Sequence, residues 1–265
     1  MAKFDKFMLQ THFNQLAAAN YSEWVVKRAK TLLSSVFIEA VDLGFLVANP
    51  MAKIKLPKCK ATPKPVIAVG DARRLYDAIP SLRDRLIFRI GISLGPRTSE
   101  VFGFTVDSWE GDVLEIRNTV YKGTLRRAKV KTDGSHRTVP VPPDMRTMLQ
   151  NWIEWSGASG DDLLFSGKDG KSPMWPGVWL QKRVQSVAKK LGITTTVTFQ
   201  VLRRSFATRH RNDLKDAAAV LGHSNYKTTT ANVYAQSVED RVRAMVEEDE
   251  RHLGLIERSG AAKIQ

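Results

Sequence analysis

Apolar positions in the first fifty residues recur at three- and four-residue steps, the period of a helix with one buried face. Phe4, Phe7, Met8, Phe13 and Leu16 mark a helix over residues 3–18, and Ser22 is placed to cap a longer one. The stripe of that second helix is Val25, Val26, Ala29, Leu32, Leu33, Val36, Phe37, Ala40 and Val41, and Gly44 is its expected stop. The period is then lost. Between Asn49–Pro50 and Pro65 lie four prolines together with Lys55, Lys58, Lys60 and Lys64, the composition of an extended basic linker.

Beyond the linker the pattern changes to a mixture of periods. Asp71 is expected to cap a helix through about Ile79, and Ser81 to begin another that ends at Leu94–Gly95. Strand-like stretches follow at 104–108, 112–121 and 125–141, separated by Glu110-Gly111-Asp112, Lys122-Gly123 and Asp133-Gly134. The last pair suits the positive φ angles of a tight hairpin turn. Helical patterns return from Pro142–Pro143 to Trp155 and over 175–191, 200–212, 214–221, 226–235 and 238–253. The expected fold is mostly α with a small antiparallel β-sheet (α+β). Its expected divisions are a helical segment at 1–49, a linker at 50–66, a larger domain at 67–236 and a C-terminal helix and tail at 237–265. Trp152, Trp155, Trp175 and Trp179 fall at helical spacings and are expected in the core.

Composition narrows the class of function. Hydrophobic residues make up 43% of the 265, an ordinary globular share, with no apolar run of membrane-spanning length and no secretory layout at the N-terminus. A cytoplasmic protein is expected. The one cysteine, Cys59, excludes intrachain disulfides and cysteine-cluster zinc sites. Charge changes the picture more: 41 Lys+Arg stand against 27 Asp+Glu, a net +14, which points to a polyanionic partner. The surplus is segregated. Residues 1–65 hold ten basic and four acidic groups, and 122–137 hold Lys122, Arg126, Arg127, Lys129, Lys131 and Arg137 against Asp133 alone. Residues 237–265 hold seven acids and five bases. DNA is expected to meet the body of the molecule and protein to meet the tail.

Four segments carry candidate chemistry. They are Gly95-Pro96-Arg97-Thr98-Ser99-Glu100, then Lys131-Thr132-Asp133-Gly134 with His136-Arg137-Thr138-Val139-Pro140, then Leu202-Arg203-Arg204-Ser205-Phe206-Ala207-Thr208, and Leu221-Gly222-His223-Ser224 followed by Tyr234. Two guanidiniums can fork onto the non-bridging oxygens of a phosphodiester and stay charged at any relevant pH. Preorganised donors of this kind contribute about 3–4 kcal/mol each to an oxyanionic transition state. A tyrosine ester to phosphate conserves the bond energy, so that rejoining needs no nucleotide.

This ordered set resembles the tyrosine recombinases of the phage-integrase type over residues 20 to about 236. The resemblance implies a DNA-cleaving and rejoining enzyme in which Tyr234 is the nucleophile, Arg97 and Arg203 hold the phosphate, Lys131 is the general acid, His223 assists and Glu100 orients a neighbour. Lys129 is the alternative to Lys131. Lys55, Lys58, Lys60, Lys64, Arg126, Arg127, Lys129 and Arg204 are candidate DNA contacts. Each arginine has a plainer alternative: Arg97 as a helix C-cap, Arg203 and Arg204 as surface ion-pair residues. No metal and no cofactor are implied. The implied partners are double-stranded DNA attachment sites, further copies of the chain in a DNA-bound tetramer and a directionality factor, in the cytoplasm of a bacterial host where a viral genome is integrated.

Three departures from the family pattern stand out. Gln200 occupies the position, three residues before Arg203, where a histidine is usual; an amide can hydrogen-bond a phosphate oxygen but accepts no proton at neutral pH. Tyr234 follows His223 by 11 residues, slightly more than is common, which makes Tyr226 a secondary candidate nucleophile. The helical segment before the linker is short and resembles the later half of a core-binding clamp with no arm-site domain. The acidic helix after Tyr234, with Val242, Met245, Val246 and Leu253 on one side, is expected to dock on a neighbouring protomer or pack back on its own domain. Two other readings fit the same residues: a type IB topoisomerase, and a non-catalytic DNA-binding protein on the same fold.

Overall fold

The two N-terminal stripes fold as helices α1 (Lys6–Ala18) and α2 (Glu23–Asp42), capped as their sequences direct. The Asp5 carboxylate accepts from Met8 N–H at 2.7 Å, and the Ser22 hydroxyl accepts from Val25 N–H at 3.4 Å. A computed structural model describes residues 5–59, 64–127, 136–210, 214–222 and 235–255, with the backbone alone at 214–215 and 235–241. It divides into two compact units, Met1–Lys64 and Pro65–Gln265.

The first unit has a core of Leu9, Phe13, Val26, Phe37, Met51 and Ile54. Its last two members come from the segment expected to be an extended linker, which is corrected here for residues 51–55. Two helices alone leave their shared face half covered, and Met51 and Ile54 close it. The backbone of this segment is pinned as well: Lys30 Nζ donates to Ile54 O at 2.6 Å, and the Gln10 amide both donates to Lys55 O and accepts from Lys55 N–H. Lys55, Lys58 and Lys64 remain exposed.

The second unit is built around α4 (Leu82–Ser93), whose residues from Leu86 to Ser93 are all buried, Arg89 included. Helix α3 (Val69–Ala78) precedes it. The N-cap falls three residues earlier than expected: it is Ala68, and Asp71 lies in the first turn, where its charge suits the helix N-terminus. Helix α9 (Phe199–Arg209) crosses α4 closely. That approach needs Gly91, because a Cβ there would lie 2.9 Å from Leu202 Cδ1.

The strand region is more broken than its sequence period suggested. Residues 106–108 form a 3₁₀ turn, correcting the strand expected at 104–108. The stretch expected over 112–121 splits into β2 (Val113–Ile116) and β3 (Thr119–Tyr121), with β1 (Trp109–Glu110) before them. Asn118 causes the break. It turns inward, 5% exposed, to donate to Thr105 Oγ1, while Arg117 pairs outward with Asp107 and Glu115. Strand β4 (Thr124–Arg126) closes a hairpin on β3 through Lys122 and Gly123, both at positive φ. Strand β5 (Arg137–Pro140) pairs with β2, giving the order β1-β2-β5 with Ile116 opposite Arg137. The expected Asp133-Gly134 turn and the helix at 226–235 lie outside the described residues, the latter save for its last residue.

The remaining helices are α5 (Thr98–Val101), α6 (Pro143–Ser156), α7 (Pro176–Trp179), α8 (Ser186–Lys190), α10 (Leu214–Leu221) and α11 (Ala235–Leu253), with a π-helical turn at Leu180–Gln185 between α7 and α8. Trp152 and Trp179 are in the core as expected, whereas Trp155 and Trp175 are exposed. The apolar side of α11, Val242, Met245, Val246 and Leu253, is buried in its own unit's core, so the helix packs back on its own domain here. Buried ion pairs reinforce it: Glu250 with Arg89, and Asp249 with Arg209 at 2.6 Å.

Candidate active site

The ends of α4 and α10 and the body of α9 bring three arginines to one place. Arg97, directly after Gly95-Pro96, caps α5, and its own N–H donates to Glu100 Oε2 at 2.8 Å. Its guanidinium forms an ion pair with Glu100 Oε1 at 2.7 Å and reaches Gly222 O at 3.3 Å. Arg203, on α9, donates from Nη1 to Gly95 O and from Nη2 to Leu221 O, both at 2.6 Å. Arg137, at the start of β5, donates from Nε to Val220 O at 2.6 Å and from Nη2 to Glu100 Oε2 at 3.0 Å. The three cations thus share the carbonyls of Val220, Leu221 and Gly222. These are the C-terminal carbonyls that a helix leaves without partners, at the negative end of its dipole.

Electrostatics follow from burial. The Glu100 side chain is 2% exposed. Burial by itself would raise its pKa, but Arg137 and Arg97 outweigh that and hold it below the usual carboxylate range. Arg203 is lowered to about 10, chiefly by desolvation and then by repulsion from Arg97 and Arg137, against the pull of Glu100. It remains a cation at neutral pH. One carboxylate therefore faces three guanidiniums, leaving a positive field that attracts an oxyanion. Arg97 is the open member, its side chain 42% exposed.

Of the residues expected from sequence, Arg97, Arg203 and Glu100 are brought together. Gln200 is exposed on α9, one turn before Arg203. Arg204 lies on the same helix but bonds Pro65 O at 2.7 Å, at the start of the unit. Arg126 is exposed on the β3–β4 hairpin with its guanidinium 4.2 Å from the Tyr121 ring centroid. Arg127 is paired with Asp161 at 2.6 Å, which balances its charge locally. Tyr234, His223, Lys131, Lys129, Lys60 and Tyr226 lie outside the described residues.

Arg137 is the site member to which sequence reasoning gave no role, although it stood in the second candidate segment and among the charges of the hairpin. A signal was present. In the two-residue period of a strand, 137 shares its face with Val139 and Val141, both buried, so this arginine had to point inward.

A family model described as the phage integrase family matches residues 66–241. Among curated relatives, tyrosine recombinase XerC of Xanthomonas axonopodis pv. citri (strain 306) is 28% identical over 239 residues, covering 86% of this chain and 73% of that protein. The XerC of Xylella fastidiosa (strain M23) is 27% identical over 236 residues, covering 86% and 74%. Solved structures share the fold. The Tn1549 transposon integrase, in complex with transposon right end DNA, superposes with a TM-score of 0.67 at 18% identity over 91% of this chain and 86% of that one. A lambda integrase dimer bound to a COC′ core site gives 0.63 at 16% identity over 87% and 81%. The chain belongs to the phage integrase family, the tyrosine recombinases, enzymes that cleave and rejoin DNA strands.

Proposed function

We propose that the protein is a site-specific recombinase of the phage-integrase kind, exchanging strands between two short duplex attachment sites through a phosphotyrosine at Tyr234. The observation that carries this reading is the convergence of Arg97 and Arg203 on the last carbonyls of α10, beside the start of the segment that contains His223 and Tyr234 in sequence. In the proposed reaction the scissile phosphate lies across the two guanidiniums, which stabilise the charge that grows on its non-bridging oxygens. The Tyr234 phenolic oxygen forms a bond to phosphorus as the bond to the 5′ oxygen breaks. The strand's 3′ phosphate stays on the enzyme. Lys131 protonates the departing 5′ oxygen, with Lys129 as the alternative donor, and His223 hydrogen-bonds the phosphate or manages the tyrosine proton. Gln200 replaces the usual histidine as a neutral hydrogen-bond donor, so the phenol's proton leaves through His223 or water, aided by the arginine field. Rejoining is the reverse, with the 5′ hydroxyl of the partner duplex attacking the phosphotyrosine.

DNA contact is proposed through the exposed Lys55, Lys58 and Lys64 of the first unit and Arg126 of the second, and the working assembly is proposed to be a tetramer on DNA. The test is a nicked suicide duplex carrying the attachment core of the element that encodes the chain. A denaturant-stable protein–DNA adduct should form with the wild type and be absent from Tyr234→Phe. Retention of the adduct in that variant, or its mapping to Tyr226, overturns the assignment of the nucleophile. Cleavage and plasmid relaxation without regard to sequence would make the protein a topoisomerase instead.

A further inference from the structure

We infer that Arg137 is a positioning residue for DNA cleavage, one guanidinium bracing Arg97 through Glu100 while also fixing the end of α10. The inference rests on the reading of Arg97 and Arg203 as the phosphate clamp. Its side chain is 8% exposed, too enclosed to be a DNA contact itself. Its bonds run in two directions. Nη1 and Nη2 meet the two oxygens of Glu100 at 3.4 and 3.0 Å, and Nε meets Val220 O at 2.6 Å. The same carboxylate takes the Arg97 backbone N–H and the Arg97 guanidinium. The Arg97 rotamer is therefore set by a carboxylate that is itself held from behind.

The second contact is independent of Glu100. Gly222, at φ 64°, lies against the flat face of Arg137, so closely that a Cβ there would sit 2.7 Å from Nη1 and 2.9 Å from Cζ. Arg137 thus supports Val220 and Gly222, on either side of the Leu221 carbonyl that orients Arg203. Both members of the clamp depend on it by different routes. A lysine puts one ammonium on a flexible stem in place of this fixed planar fork, so it does not hold Glu100 and Val220 O in the same geometry. Without the brace, the whole charge of Glu100 falls on Arg97. It then draws that guanidinium toward itself and away from a phosphate.

The test compares single-turnover adduct formation by wild type, Arg137→Lys and Arg97→Lys on two suicide duplexes, one with a normal scissile phosphate and one with a neutral methylphosphonate. Displacing a clamp group by about 1 Å costs roughly 100-fold. Arg137→Lys should lose about that much on the phosphate. On the methylphosphonate, which has no full charge to clamp, the loss should shrink in parallel with that of Arg97→Lys. DNA affinity should change far less than the rate, since only one phosphate contact among many is displaced. An unimpaired Arg137→Lys, or an equal loss on both substrates, overturns the inference. Should the single variant fold poorly, the double variant Glu100→Gln/Arg137→Met, which leaves no lone buried charge, is compared with Glu100→Gln alone and should lose more on the phosphate duplex, through the Val220 and Gly222 contacts; an equal loss in the two overturns the inference. A wild type that forms no adduct on either duplex refutes the clamp reading itself, a result distinct from a sound wild type with an indifferent Arg137.

Discussion

Glu250→Gln should destabilise the second unit strongly although it changes almost no volume. The wild-type carboxylate accepts from Arg89 Nε at 2.9 Å and also from Nη2, and Arg89 has no exposed surface. The third guanidinium nitrogen donates to the sulfur of Met148 at 3.0 Å. Glutamine preserves shape but removes the counter-charge bonded to this buried cation, leaving Asp144 to act on it only through space, and a guanidinium cannot escape by losing its proton. Breaking one side of a buried pair costs about 3–5 kcal/mol. At about 2–4 °C per kcal/mol for a domain of this size, Tm should fall by roughly 10 °C. Part of the loss should be local. Helix α11 loses one of its two buried ion pairs and keeps the Asp249–Arg209 pair and its apolar residues, so its amides should exchange faster than in wild type, before the rest of the unit opens. Urea denaturation followed by circular dichroism, with hydrogen exchange resolved along α11, measures both effects. The double variant Arg89→Met/Glu250→Met should return to within about 1 kcal/mol of wild type, because removing both charges removes the desolvation cost as well. A Glu250→Gln protein within about 0.5 kcal/mol of wild type, or a double variant no better than the single one, would refute the account.

Two further outcomes follow from the site. Gly222→Ala should cost about 1–2 kcal/mol from its left-handed backbone alone and should also slow adduct formation, since its Cβ displaces Arg137; an alanine protein as stable and as fast as wild type would refute this. The Glu100 and Asp249 carboxyls are both held below the usual range, burial being outweighed by Arg137 and Arg97 for Glu100 and by His210 and Arg209 for Asp249. Their contribution is complete above the unfolded-state value of about 4 and is lost as the pH falls through the lower folded values. Tm should therefore be level between about pH 7 and pH 5 and fall below about pH 4, with a flatter acid limb in Asp249→Asn; an unchanged limb in that variant would count against the assignment.

Local signals in the chain were enough for the long helices and for the choice of Arg97, Glu100 and Arg203. Capping at Asp5 and Ser22, the stripes of α1, α2 and α11, and the ordered segments around Arg97 and Arg203 depend on contacts within a turn or two, which residue type and spacing control directly. Tertiary structure decided which of these faces meet. Arg97 finds Gly222 across 125 positions, Arg137 finds Glu100 across 37, and Arg89 finds Glu250 across 161. A periodic pattern states that a face is buried without naming what covers it, which is why Met51 and Ile54 read as linker and α11 read as fit for a neighbouring protomer or for its own domain. The same reason explains the charges: whether an arginine serves DNA, as proposed for Arg126, or is spent on a neighbour, as Arg127 is on Asp161, depends on a partner that only folding brings near.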